Sequence, residues 1–349
     1  MDRSYQRKNK CYCWGLAWCA VLWIGGCQSG HSSPFPDDPW NTDPTTKKAY
    51  SIISAGLTDK NPRVRTSAIE AIASARLLNY AAQLQYLLGD QQNQVVPVRF
   101  AALVALGDLQ YRQAMGTCQQ IYQVPQEDAN VKLAAAYALV RMGQSGYLTV
   151  LRQGLTHTQP EVRSNAAFLI GKAGDREALD QLHHILVSPN LDEQTTRQII
   201  DTIAQLRDNQ IYQTLWSRLI SLFADDRIQG IRGMGQLGHN QAQKAIQTML
   251  NDDIPEVRLA AAEELARLGD LRGEAIVLDI LKKQLNTRGS GRQSDDAERV
   301  RLHVMAALAI DALDTEATRR YLPKLLEDTS SFVRLAAARA VLRKQFQWQ

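Results

Sequence analysis

The residues able to do chemistry are few and scattered. Six histidines, His31, His157, His183, His184, His239 and His303, are followed by Ser, Thr, His, Ile, Asn and Val, so none opens a His-Glu pair of the kind that holds iron. The adjacent His183 and His184 point about 100° apart on a helix, whereas a helical chelate uses an i, i+4 pair. No nucleophile elbow, P-loop or dinucleotide glycine motif occurs. The expectation is a non-catalytic chain with no metal and no cofactor. Cysteine offers one modification chemistry. Of five, Cys11, Cys13 and Cys19 lie in an apolar N-terminal stretch, Cys27 ends it, and Cys118 stands alone in the body. Such an arrangement excludes a disulfide framework and makes Cys118 a small buried hydrophobe.

The elements that position these residues begin with an export signal, expected over residues 1–26. Arg3, Arg7, Lys8 and Lys10 precede 16 uncharged residues, Cys11 to Gly26. That is short of the roughly 20 apolar residues a membrane-spanning helix needs. The stretch ends Ile24-Gly25-Gly26-Cys27, which resembles the bacterial lipobox. The resemblance implies a lipid on Cys27 and, with Gln28 following, an exported lipoprotein facing the periplasm, with the outer membrane favoured over the inner. Residues 27–46 then carry Pro34, Pro36, Pro39 and Pro44, the composition of an extended spacer. The remainder of the chain after Gly26 holds 36 basic against 35 acidic residues, which argues against a nucleic-acid-binding body.

Residues 47–349 repeat one pattern, clearest in PEVRLAAAEELARLGD (Pro255 to Asp270). Aligned on the basic residue, copies fall at Arg65, Arg99, Lys132, Arg163, Arg197, Arg227, Arg258, Arg301 and Arg334, mostly 30 to 34 residues apart. Around Val131, for example, Ala134, Ala135, Ala138 and Leu139 recur at helical spacing, marking one buried helix face. Larger apolar residues such as Leu179, Leu182 and Leu186 mark a second helix, so the unit is a helical hairpin. A period in the thirties predicts stacked units, an all-α solenoid of about nine hairpins. The interval of 43 before Arg301 predicts a flexible loop over residues 286–298. Gly230 and Gly233 inside one helix predict a bend there.

These blocks resemble HEAT repeats, specifically the short HEAT-like class found in phycobilisome lyases. In HEAT proteins the aspartate six residues before the arginine (Asp59, Asp252, Asp328) joins an inter-repeat ladder, and the helix with the Val-Arg motif lines a concave face. By that resemblance the residues six beyond the Val position are Glu70, Val104, Tyr137, Phe168, Thr202, Arg232, Glu263, Ala306 and Arg339. Those ten beyond are Ser74, Asp108, Arg141, Lys172, Leu206, Gln236, Arg267, Ile310 and Arg343. Val104, Tyr137 and Phe168 flanked by Arg141 and Lys172 form a candidate protein-binding patch. The functional expectation is a monomeric scaffold of the cell envelope, presenting its concave surface to a protein partner. The alternative is a HEAT-like enzyme or enzyme subunit, such as a bilin-lyase-like factor. Against an iron enzyme of the deoxyhypusine hydroxylase kind stands the missing His-Glu pair, and against a DNA-binding groove stand Glu70, Asp108 and Glu263.

Overall fold

The computed structural model describes residues 43–89, 94–286 and 293–343; the expected signal segment, Cys27 and most of the spacer lie outside them. The described residues form helical hairpins in chain order: α1 (Pro44–Leu57) with α2 (Pro62–Ser74), α3 (Ala81–Gly89) with α4 (Val96–Asp108), α5 (Met115–Gln123) with α6 (Ala129–Arg141) and α7 (Leu148–Gly154) with α8 (Pro160–Ala173). They continue with α9 (Leu179–Leu186) and α10 (Glu193–Gln205), α11 (Tyr212–Leu219) and α12 (Ala224–Leu237), and α13 (Asn240–Thr248) and α14 (Pro255–Arg267). The last are α15 (Glu274–Asn286) with α16 (Gln293–Leu313), and the one-turn pieces α17 (Glu316–Arg319) and α18 (Leu322–Leu325) with α19 (Ser331–Arg343). No strand occurs among the described residues. Helix α1 starts at Pro44, capped by the Asp43 carboxylate accepting from the Thr45 and Thr46 amides, so the solenoid begins slightly before the expected boundary at 47.

The repeat sequence explains the hairpin. Pro62, Pro160 and Pro255 occupy the first turn of their helices, where a missing N–H costs nothing. Gly174 and Gly238 end theirs in the left-handed region, at φ 73° and 68°. Gly107 is different: it sits inside α4, where a Cβ would lie 3.0 Å from the Ala138 backbone, and its role is the close approach of α4 to α6. Helix α12 is continuous through Gly230 and Gly233. A Cβ at 230 would meet the Leu219 amide at 2.7 Å, and one at 233 the Leu215 side chain at 2.3 Å. Those glycines bring α11 against α12. Helix α16 runs from Gln293, so much of the expected 286–298 loop is helix.

The basic residue of the motif has one repeated job. Arg65, Arg163, Arg227, Arg258 and Arg334 each donate to two backbone carbonyls, six and five residues earlier, pinning the loop that enters their own helix. The carboxylate of that loop pairs instead with the preceding repeat: Asp192 with Arg163 at 2.5 Å, Asp252 with Arg227 at 2.8 Å and Asp328 with Arg299 at 2.9 Å. The expected ladder therefore exists, but through a carbonyl within each repeat and a carboxylate between repeats.

Helices α2, α4, α6, α8, α10, α12, α14, α16 and α19 pack side by side in that order, and α19 packs back on α1 and α2. The array is thus a closed ring of nine hairpins. Gly56 shows how. Its Cβ position lies 2.9 Å from Ala68 Cβ and 3.0 Å from a Leu335 methyl. In the middle of the chain, Gly154 meets Ala166 Cβ at 2.8 Å and a Leu133 methyl at 3.0 Å. Ala68 and Ala166 both follow the motif arginine by three residues, and Leu335 and Leu133 both follow the basic residue by one. Helix α19 therefore meets α1 and α2 as α6 meets α7 and α8. An ion pair between Lys48 and Glu327 ties the seam on the outside. Closure turns the expected open concave surface into a lumen.

Candidate functional site: the charged lumen

Burial fixes which residues face the lumen and corrects the register of two repeats. In α10 the cap is Asp192, whose carboxylate accepts from the Thr195 amide, and Thr195, Ile199, Thr202 and Ile203 are buried. The position equivalent to the motif arginine is Thr196, one before Arg197. In α16, Leu302, Met305, Ala306, Ala309 and Ile310 are buried, which makes His303 the equivalent, not Arg301. His303 Nδ1 indeed lies 2.8 Å from Asp328 Oδ2, the pairing that Arg227 makes with Asp252. Thr202 and Ala306, expected at the concave face, are consequently core, and Asp201 and Leu308 take their places.

The lumen is lined by charge, most of it internally compensated. On one wall Asp108 is held from two sides: the Tyr137 hydroxyl donates to Oδ1 at 2.5 Å and the Lys172 ammonium approaches Oδ2 at 2.8 Å. The same Lys172 lies 5.6 Å from the Phe168 ring centre, a cation–π arrangement. Because the Asp108–Lys172 pair joins α4 to α8 across α6, it covers Tyr137, which is 0% exposed, and Val104 is buried beside it. Of the expected patch, Val104 and Tyr137 are buried, while Arg141, Phe168 and Lys172 are part-exposed around them and Lys172 is ion-paired with Asp108. Burial, reinforced by the Asp108 charge, pushes the Tyr137 phenol far above its ordinary pKa.

The opposite wall encloses a cavity of about 540 Å³ between the ends of α12, α14, α16 and α19. Arg267, Arg343, Glu264 and Asp311 line it. Arg267 donates to Glu263 at 2.6 Å, and Arg343 to Asp311 at 2.9 Å. Glu264 fits because residue 235 is glycine: a Cβ there would stand 2.4 Å from the Glu264 carboxylate. Burial raises the Glu264 carboxyl to about 7, with Arg267 opposing the shift and Glu263 adding to it. Glu70 is reached by water yet walled in by protein. Burial raises its pKa while Arg339, on the neighbouring α19, and Lys172, three inner helices away, lower it.

The other chemistry-bearing side chains lie elsewhere. His183 pairs with Asp208 at 2.7 Å while His184 is exposed, so the adjacent histidines do not converge. Cys118 is fully buried, and burial pushes its thiol up to about 12, leaving it unreactive. Among the described residues no three His, Cys, Asp or Glu side chains converge on a metal position, and no helix is long and apolar enough to cross a membrane.

The family model for HEAT repeats matches residues 148–226 and 219–293. No curated protein matches the chain. Among solved structures, the complex of CpcE and CpcF of phycocyanin lyase from a Nostoc species is 18% identical, covering 82% of this chain and 99% of that one with a TM-score of 0.40. Human deoxyhypusine hydroxylase in complex with glycerol is 16% identical, covering 86% and 97%, with a TM-score of 0.34. An engineered protein is 19% identical, covering 85% and 88%, with a TM-score of 0.32. Likeness at this level carries nothing about activity. The described body is an all-α solenoid of helical hairpins, with HEAT repeats matched over residues 148–293.

Proposed function

We propose that the protein is a non-catalytic interaction scaffold of the bacterial cell envelope, exported and held at a membrane by lipid on Cys27, the outer membrane favoured. The observation that carries the scaffold reading is the closed ring. Its inner charges are largely spent on one another, as Asp108 with Lys172 and Asp311 with Arg343, and the closing junction repeats the packing by which α6 holds α7 and α8. A frame of this kind is rigid and presents large surfaces on its rims and outer helices. The partner surface accordingly belongs there rather than on the concave side. The address rests on the sequence alone: a basic start, an uncharged stretch and Ile24-Gly25-Gly26-Cys27.

Intact mass and membrane fractionation of the native protein beside Cys27→Ala test the address. The native form is expected to lack residues 1–26, carry lipid and move to the soluble fraction on substitution. Retention of Met1 with no lipid would remove the envelope assignment. Envelope cross-linking of the native protein tests the scaffold itself, which predicts at least one specific protein adduct; finding none would contradict it.

A further inference from the structure

One loop carries exposed apolar residues that folding does not explain. The residue before an inner helix supplies a capping side chain at Asn61, Asp128 and Asp192, and none at Val95, Gln159, Phe223 and Ile254. Only before α12 is a large apolar cap residue, Phe223, preceded by another, Leu222; Val95 follows Gln94 and Ile254 follows Asp253. Neither apolar residue is buried in compensation: Leu222 is 93% and Phe223 72% exposed, with Ile220 at 62% beside them. Trp216 on α11 and Val187 at the same end of the preceding hairpin are exposed as well.

The tip is also held in place. Arg227 donates to the Ser221 and Leu222 carbonyls at 3.0 and 3.1 Å. The Ser221 hydroxyl accepts from the Phe223 amide and donates to Asp226 at 2.9 Å. Large apolar side chains on a braced backbone lose little entropy on docking, the arrangement of a binding hot spot. Carboxylates surround it. Glu193, Asp225 and Asp253 are exposed on the same rim; Glu193 pairs with Arg197 and Asp253 with Arg227, and with Asp226 and Asp252 the rim sets five carboxylates against the three guanidiniums of Arg197, Arg218 and Arg227.

We infer that the loop Ile220–Phe223 is a docking site for a partner polypeptide segment that brings apolar side chains flanked by lysine or arginine. This rests on the scaffold reading and names its surface and the chemistry of its partner. The carboxylates disfavour an anionic membrane surface, and a second copy of the same rim would set like charges against one another.

The test uses the full chain and two labelled peptides of equal length, one of leucine and lysine, the other of leucine and glutamate, followed by fluorescence anisotropy. The lysine peptide is expected to bind at least tenfold more tightly than the glutamate peptide. The double variant Leu222→Ser/Phe223→Ser should weaken it at least tenfold, whereas Leu78→Ser, an exposed leucine outside this loop, should leave it unchanged. Serine at 223 restores a capping side chain, so the melting temperature of the double variant should rise, showing that lost binding is not lost folding. Equal binding of both peptides, or unchanged binding by the double variant, overturns the proposal. So does binding to vesicles of phosphatidylcholine and phosphatidylglycerol, or dimerisation in sedimentation equilibrium, that disappears with the double variant. Envelope adducts mapping only to other surfaces would remove this site and leave the scaffold standing; no adducts at all would remove the scaffold.

Discussion

Two junctions of the ring have the same geometry and different histories. At one, α6 meets α7 and α8 within about 35 residues of chain; at the other, α19 meets α1 and α2 across nearly the whole body. Leu133 against Gly154 and Ala166 reproduces Leu335 against Gly56 and Ala68 to within 0.1 Å. The first junction forms from neighbours already tethered. The second must bring the ends together, at a loop-closure cost that grows only slowly with length, and it is held by packing and by the Lys48–Glu327 pair. The same side-chain code therefore serves two purposes: it propagates the array and it closes it.

The comparison breaks most sharply at Leu335. Leu335→Asp places an unpartnered carboxylate in the closing junction and should cost about 4 kcal/mol. Small-angle scattering should show the particle lengthen, which Leu133→Asp should not do to the same extent because α6 and α7 stay joined by chain. Overpacking the two glycines sharpens the equivalence. Gly56→Val and Gly154→Val should each cost about 2–3 kcal/mol in chemical denaturation, and values differing by more than about 1 kcal/mol would show that the junctions are not alike.

The lumen walls next to the two junctions respond differently to pH. Glu264, near the seam, has its carboxyl raised from 4.5 to about 7, so the fold favours its neutral form. The associated stability is fully present below about pH 4.5, is lost as pH rises towards 7, and changes no further above that. Glu264→Gln should remove this dependence and stabilise the protein by about 2 kcal/mol at pH 8 relative to the native chain. On the far wall, Tyr137→Phe removes the hydrogen bond to Asp108 and should cost about 1 kcal/mol with no new pH dependence between 5 and 8, read from melting curves at both pH values.

Much of this was legible from residue spacing, for reasons the structure makes plain. Apolar and small residues at helical intervals gave the hairpins, since each repeat contacts mainly its neighbours. Registers slipped only in α10 and α16, where a nearby arginine stood in for the motif residue. The Asp192 cap would have marked Thr196, and the apolar spacing from Leu302 would have marked His303. Tyr137 was placed facing inward, yet its covering could not be read, because Asp108 and Lys172 come from helices on either side of its own. Closure was hidden for the same reason: a contact between Gly56 and Leu335 leaves no periodic trace. The apolar tip at Leu222 and Phe223 lies between helices, and periodicity confined to the helices passed over it.

Ring closure is tested most directly by zero-length carbodiimide cross-linking of the native monomer, followed by peptide mass spectrometry. Lys48 and Glu327 are ion-paired across the seam, and Lys283 and Asp279, 2.7 Å apart on one helix, serve as the internal control. The closed ring predicts an intramolecular amide between Lys48 and Glu327 alongside the control amide, and its loss in Leu335→Asp. In an open array of nine hairpins the ends would stand several interhelical spacings of about 10 Å apart. The control cross-link without the Lys48–Glu327 amide would contradict closure.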